Sequence, residues 1–338
     1  MAALGPAPAT LYTAAGDIAD GHYSGAVADP ALRLPAFLGS LRQKQWHYLS
    51  LATEHHLVAL AVVQLRYVAN CFVYVVDLRW PDQLWQTDGL SPFGLAARFA
   101  ATSQRGATTW RSGQTSVTVM AAESGWQIDL DVALQGPNGQ TRQLVGKAQL
   151  QADQAFSLIH RLPNGHSAYT RKDAGMAATV DLRFGEQQLV SVALATSDWT
   201  QSLAMRVTRW NWASLVTRLP DGRRLGCNLS AQVYDDAAGH GRENVVWRDG
   251  RMTVLGGVRF TLPEDPTQQP WQIASLDDGA VDLTFTPLGA RRQNLDFGLV
   301  TSRFVQPYGR FAGNLVVSGE KIALDGAVGV VEDHLAKW

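Results

Sequence analysis

Residues 126–134 read Trp126-Gln127-Ile128-Asp129-Leu130-Asp131-Val132-Ala133-Leu134, and this stretch decides the fold class. Trp126, Ile128, Leu130, Val132 and Leu134 alternate with Gln127, Asp129, Asp131 and Ala133. A strand repeats every two residues, so all five large apolar side chains fall on one face. Residues 116–120 have the same character and reach this strand through an expected turn at Glu123-Ser124-Gly125. On the other side, Gly136-Pro137-Asn138-Gly139 turns the chain back into residues 143–150.

The same grammar recurs outward in both directions. Residues 57–68 and 71–78 are too continuously apolar for one-sided surface strands and predict strands covered on both faces. Residues 179–184 and 189–195 flank Gly185-Glu186. Leu225, Cys227, Leu229, Ala231 and Val233 alternate with smaller or polar partners. Three more pairs follow: 243–247 with 252–255 around Asp249-Gly250, 271–275 with 281–285 around Asp277-Asp278-Gly279, and 311–317 with 322–328 around Ser318-Gly319-Glu320. Hairpins in this number, with almost no helix between them, predict an all-β chain of antiparallel meanders, and closure into barrels disposes of their edges. One short helix is expected over residues 92–102, where Leu95, Ala96 and Phe99 share a side. At 338 residues the chain exceeds the roughly 250–300 at which single cores stop growing. The expected division is an Ala/Pro/Gly-rich arm (1–40), a first domain (41–170) and a second (171–338). Its boundary is expected near residues 163–175, where PNGHSAYTRKDAG breaks the alternation.

Composition narrows the function. With 46% hydrophobic and 17% charged residues, the chain builds cores rather than disorder. A formal charge of −1 and no Lys/Arg cluster exclude a nucleic-acid stripe. The start, MAALGPAPATLYTAAGD, lacks the basic and apolar regions of a signal peptide. The one membrane-length apolar run, 57–78, carries Gln64, Arg66 and Asn70, so no stable membrane insertion and a cytoplasmic location are expected. Cys71 and Cys227, in opposite halves, are expected to be buried thiols rather than a disulfide. No dinucleotide, phosphate-loop, nucleophile-elbow or HExxH motif is present, and neighbouring His55 and His56 would point to opposite faces of a strand. No cofactor and no metal are expected.

Candidate site residues cluster around tryptophan, of which there are 11. Asp198-Trp199, Arg206 and Trp210-Asn211-Trp212 place three indoles, an acid and a guanidinium within fifteen residues. They read either as a core cluster with a buried Asp198–Arg206 pair or as the wall of an apolar pocket. Glu243 and Asn244 open a strand-like run that ends in Trp247. A carboxylate there that points into a dry lumen would have a raised pKa and serve as an acid, while the alternative is a satisfied ion pair. Glu332 and His334 share a strand face, an arrangement suited to proton transfer or simply a surface pair. Lys44, Trp46, Tyr67, Tyr74, Lys172, Asn228 and Tyr308 are further candidates for lining a cavity.

These residues also carry a resemblance. Lys44 with Trp46, Tyr169-Thr170-Arg171-Lys172, Asp198 with Trp210-Asn211-Trp212, Gly226-Cys227-Asn228-Leu229, Glu243-Asn244 with Trp247, Pro270-Trp271, and Glu332-Asp333-His334 through Trp338 resemble the bacterial family DUF2804. The family has no assigned activity. Its architecture is similar to a lipocalin-like group containing carotenoid 1,2-hydratase (hydroxyneurosporene synthase), tocopherol cyclase and the fungal Diels–Alderases. The resemblance implies two lipocalin-like antiparallel barrel or half-barrel domains packed together, and a large apolar, often polyene, substrate.

Three functions follow as expectations. The first is a cofactor-independent enzyme that hydrates, cyclises or isomerises an isoprenoid-like molecule by acid catalysis. Glu243, Glu332 or Asp198 would be the acid, His334 the relay, and Trp199, Trp210, Trp212 and Trp247 the walls. The second is a non-catalytic carrier of a lipid or isoprenoid in the same cavity. The third is a carbohydrate-active β protein, which Trp platforms and paired carboxylates would support.

Overall fold

Alternating sequence becomes strand almost everywhere in the computed structural model, which describes residues 4–36, 39–122, 125–296, 298 and 300–338. The chain divides into two compact units, Ala3–Ala204 and a C-terminal unit built from Met205–Trp338. In the N-terminal unit, β1 (Gly21–Ser24) precedes α1 (Gly39–Arg42), a single helical turn. Then come β2 (Lys44–Ala52), β3 (His56–Gln64), β4 (Val68–Asp77), β5 (Trp85–Pro92), β6 (Ala97–Arg98), β7 (Gly106–Ser112) and β8 (Thr115–Ala122). Next are β9 (Gly125–Gln135), β10 (Thr141–Gln151), β11 (Phe156–Arg161), β12 (Ser167–Phe184) and β13 (Gln187–Ser202).

The ladder β12–β13–β2–β3–β4–β5–β9–β10 returns to β12, so the strands form a closed ring. Closure between β5 and β9 rests on one residue pair, Gln86 with Gln135. The deciding strand is β9, where Ile128, Leu130, Val132 and Leu134 are all fully buried and Asp129 and Asp131 are exposed. Inward side chains from β2, β3 and β4, among them Leu49, Leu51, Val58, Leu60, Val62, Val73 and Val75, fill the barrel. Burying each such side chain contributes about 1.5–3 kcal/mol relative to exposure.

Four expectations need correction or qualification. The helix expected over 92–102 is absent: β5 ends at Pro92, and Phe93 (φ 57°) and Gly94 (φ 66°) are left-handed, which starts a turn into β6 rather than a helix. The one short helix lies earlier, at Gly39–Arg42. The segment 1–40 is more than an arm, because β1 pairs with β11 and Leu11 and Val27 are buried in the core. Of the boundary expected near 163–175, residues 167–175 lie inside β12, which runs unbroken from Ser167 to Phe184, and the units part between Ala204 and Met205. What broke the alternation is a bulge: the β12–β13 register shifts between Ala174 and Met176, with Gly175 left-handed at φ 74°. Of the turn expected at Glu123-Ser124-Gly125, Glu123 and Ser124 lie outside the described residues.

In the C-terminal unit, β14 (Val207–Arg218), β15 (Arg224–Ala231), β16 (Val245–Arg248), β17 (Arg251–Val254) and β18 (Val258–Thr261) are followed by β19 (Trp271–Ser275). Three long strands complete it: β20 (Val281–Asp296), β21 (Thr301–Val317) and β22 (Glu320–Lys337). They form one antiparallel sheet ordered β17–β16–β15–β14–β22–β21–β20–β19–β18, an open half-barrel. Ala213, Leu215, Cys227, Leu229, Phe285, Phe311 and Val331 pack on its core face. Alternation then sends Trp210, Trp212, Asn228 and Glu332 to the opposite face. No helix among the described residues is long and apolar enough to cross a membrane.

Candidate functional site

The opposite face of the half-barrel gathers most of the expected site. Trp212 on β14 pairs across the ladder with Ser230 on one side and Glu332 on the other. Two inter-strand spacings, roughly 10 Å, therefore separate Ser230 from Glu332 with an indole between them. Trp210, one step along β14, pairs with His334. Trp247 pairs with Gly226, which puts it on the face of Asn228.

Glu332 is buried and fully engaged. Trp210 Nε1 donates to its Oε1 at 2.6 Å and Gln306 Nε2 to its Oε2 at 3.0 Å. His334 Nδ1 lies 3.6 Å from Oε1, too long for a good hydrogen bond, and Nε2 is 2.8 Å from Ser302 Oγ. The imidazole sits between two rings, 4.1 Å from Trp210 and 5.1 Å edge-on from Phe304. As expected from alternation, Glu332 and His334 share a face.

Glu243 lies just before β16 rather than within it and is 2% exposed. Ser230 Oγ donates to its Oε2 at 3.0 Å. Its backbone carbonyl accepts from Asn228 Nδ2 at 2.7 Å, and Asn228 Oδ1 accepts from Trp212 Nε1 at 2.8 Å. Asn244 is a frame residue: its Oδ1 accepts from Ser230 N, and its Nδ2 donates to Gly241 O and Gly256 O. Tyr308, fully buried, lies so close over Gly289 that a Cβ there would stand 2.2 Å from its hydroxyl. Only glycine leaves that ring its place.

Asp198, Trp199, Trp46, Tyr67 and Lys172 belong to the other unit. Asp198 does not pair with Arg206, which is exposed. Its partner is Lys172, directly across the ladder, with Nζ 2.5 Å from Oδ2. Thr200 and Thr170 hydroxyls donate to Oδ1 at 2.9 and 3.3 Å, so this buried ion pair has the further bonds it needs. Tyr48 stands beside Asp198 and Trp46 beside Thr200, on the same face. Trp199 points the other way, into the barrel core against Tyr169. Tyr67 lies under Lys44, whose Nζ is 4.4 Å from the ring centroid.

Inside the barrel, His47 bonds Thr108 and Ser197 and meets Trp126 edge-on. Burial, reinforced by the Arg171 charge, lowers its pKa to about 3. Arg171 pairs with Asp173 at 2.9 Å, yet burial still raises the Asp173 carboxyl above its usual range. The sequence reading missed Gln306, Ser230, Thr170 and Thr200. Cross-strand register is the signal that finds them. Among the described residues, no three His, Cys, Asp or Glu side chains come close enough to hold a metal.

The family model described as "Domain of unknown function (DUF2804)" matches residues 6–338. The chain belongs to the DUF2804 family. Solved structures similar to this DUF2804 chain include an AttH-like protein from Nitrosomonas europaea (12% identity, 86% of this chain and 92% of that one, TM-score 0.50). CghA in complex with Sch210972 is similar at 13% identity, 87% and 88% coverage, and a TM-score of 0.53. Kievitone hydratase from Nectria haematococca matches at 8% identity with a TM-score of 0.40, too distant to argue from. The first two likenesses show a shared lipocalin-like two-domain fold. No curated protein matches the chain.

Proposed function

We propose that this chain is a cofactor-independent enzyme acting on a large apolar, isoprenoid- or polyene-like molecule by proton transfer, as a hydratase, cyclase or isomerase. One observation carries the reading: two buried carboxylates, Glu243 and Glu332, flank Trp212 on a face that also holds Trp210, Trp247 and Tyr308. Acid chemistry on an apolar chain needs a proton donor in a dry place and aromatic faces against developing positive charge. In this reading Glu243, whose Oε2 accepts from a hydroxyl that rotates, is the donor. Glu332, whose two oxygens both accept N–H bonds, stands beside His334, the relay. CghA, which shares the fold, was crystallised with Sch210972 bound, which fits a fold that accommodates a small molecule.

A second reading, a carrier of a lipid or isoprenoid, has its own support. Trp212 donates to Asn228 Oδ1, Asn228 donates to the Glu243 carbonyl and Ser230 donates to the Glu243 carboxylate, a connected chain such as a purely binding wall would have.

Native mass spectrometry with lipid extraction separates the two, run on the purified protein and on Glu243→Gln. The enzyme reading expects wild type to carry product or nothing and Glu243→Gln to retain a distinct precursor. The same apolar ligand on both forms would establish the carrier.

A further inference from the structure

One end of the N-terminal barrel has a different character from its apolar middle. Gln201, Gln45 and Gln64 are adjacent across β13, β2 and β3. They share the inward parity of Trp199, His47 and Val62 in the next layer and of Leu49 and Leu60 beyond. Three buried primary amides thus ring the barrel mouth, where Leu or Val would have continued the core. Beside them opens a cleft of about 550 Å³, within the range of small-molecule sites. Its lining also holds apolar Leu32, Leu34 and Phe99.

Arg66 sits at the β3–β4 turn in a left-handed conformation, φ 76°, pinned by its own N–H donating to Gln64 Oε1 at 2.9 Å. Its Nη2 donates to the amide oxygens of Gln43 and Gln45. Its Nε is buried with no acceptor, and among the described residues no carboxylate pairs with this guanidinium. A half-buried guanidinium met only by neutral amide oxygens lacks its natural partner. Burial lowers its proton affinity, which marks the same missing charge. The one carboxylate in the cleft lining, Asp29, is exposed and caps the Ala31 N–H.

We propose that this barrel mouth binds an organic carboxylate with an apolar body, its head paired to Arg66. The guanidinium fork matches a carboxylate's two oxygens, and the primary amides of Gln43 and Gln45 can turn their NH₂ groups toward the anion once it displaces their oxygens from Nη2. The apolar body lies against Leu32, Leu34 and Phe99. The site is built entirely from the N-terminal unit and does not depend on the enzymatic reading.

Calorimetric titration of the full chain with dodecanoate and with dodecanol tests this. Wild type should bind dodecanoate at least about tenfold more tightly than the alcohol, since the pair to Arg66 is a charge-assisted bond. Arg66→Asn, chosen because Asn tolerates a left-handed backbone, should bring dodecanoate down to the alcohol's affinity and leave the alcohol unchanged. Phe99→Asp should weaken both. Dodecanoate bound no more tightly than dodecanol by wild type, or unaffected by Arg66→Asn, would overturn the site. So would the absence of dodecanoate binding at about 1 mM, a comparison that needs no variant to fold.

Discussion

Trp210 donates its indole N–H to Glu332 at 2.6 Å, across the β14–β22 ladder and 122 positions apart in sequence. That bond fixes the carboxylate and presents the indole to His334. A hydrogen bond to a charged group is worth about 1.5–3 kcal/mol, and a buried carboxylate that loses its donor forfeits it. Trp210→Phe keeps a ring against His334 but no donor, and Glu332→Gln sets an NH₂ against either Trp210 or Gln306. Each is expected to cost about 1–3 kcal/mol in urea unfolding, with the double variant less damaging than the sum by at least about 0.5 kcal/mol. Additive costs would mean the bond contributes nothing.

The Lys172–Asp198 pair makes a sharper stability prediction. Both side chains are less than 10% exposed, so neither charge has water to fall back on. Lys172→Met leaves a buried carboxylate with only the hydroxyls of Thr170 and Thr200, and is expected to cost about 3–5 kcal/mol. Adding Asp198→Asn removes that stranded charge and should recover a good part of the loss. Denaturant midpoints of the two variants decide it: a double variant less stable than Lys172→Met shows that the pair is not the reason for the first loss.

The alternation in β9, β15 and β22 is a property of neighbouring residues, so strand identity and inward faces were legible in the sequence. Pairings at long separation were not. Lys172 faces Asp198 because β12 and β13 are neighbours in register, and no local spacing says so; proximity in sequence suggested Arg206 instead. The same proximity joined Trp199 to Trp210 and Trp212, although the chain divides between Ala204 and Met205. The Gly175 bulge looked like a domain break because an extra residue and inward-pointing Arg171 and Asp173 interrupt the apolar period. Glu332 and His334 were legible as a pair because they are two apart on one strand, whereas Gln306 and Ser302, which hold them, come from the next strand.

Cys71 and Cys227 are buried thiols outside any disulfide, and burial pushes the Cys227 thiol far above its usual range. A thiol reacts as its thiolate, so alkylation should be slow in the folded protein. Intact mass after brief iodoacetamide treatment is expected to show no adduct under native conditions and two after unfolding. Rapid single labelling of the native chain would show that one of these sites opens on its own.

His47 makes the interior respond to pH in a direction that can be worked out. Its pKa falls from 6.5 to about 3 on folding, so it stays neutral in the barrel while the unfolded chain takes up a proton below about pH 6.5. Stability from this group is therefore complete above pH 6.5 and is lost as pH falls toward 3, by up to about 1.4 kcal/mol per pH unit. Asp173 acts in the opposite sense. Its folded pKa is raised, so its contribution is present below 3.8 and lost as pH rises through the folded value, which opposes the His47 slope between those two values. His47→Gln keeps a hydrogen-bonding amide for Thr108 and Ser197 and removes the titration. Unfolding free energies of the two proteins, taken from pH 7 down to 4.5, should converge or cross, with wild type losing about 2 kcal/mol more than the variant. Parallel curves would mean that His47 titrates alike in the folded and unfolded chain, and that its burial between Trp126 and Arg171 carries no proton linkage.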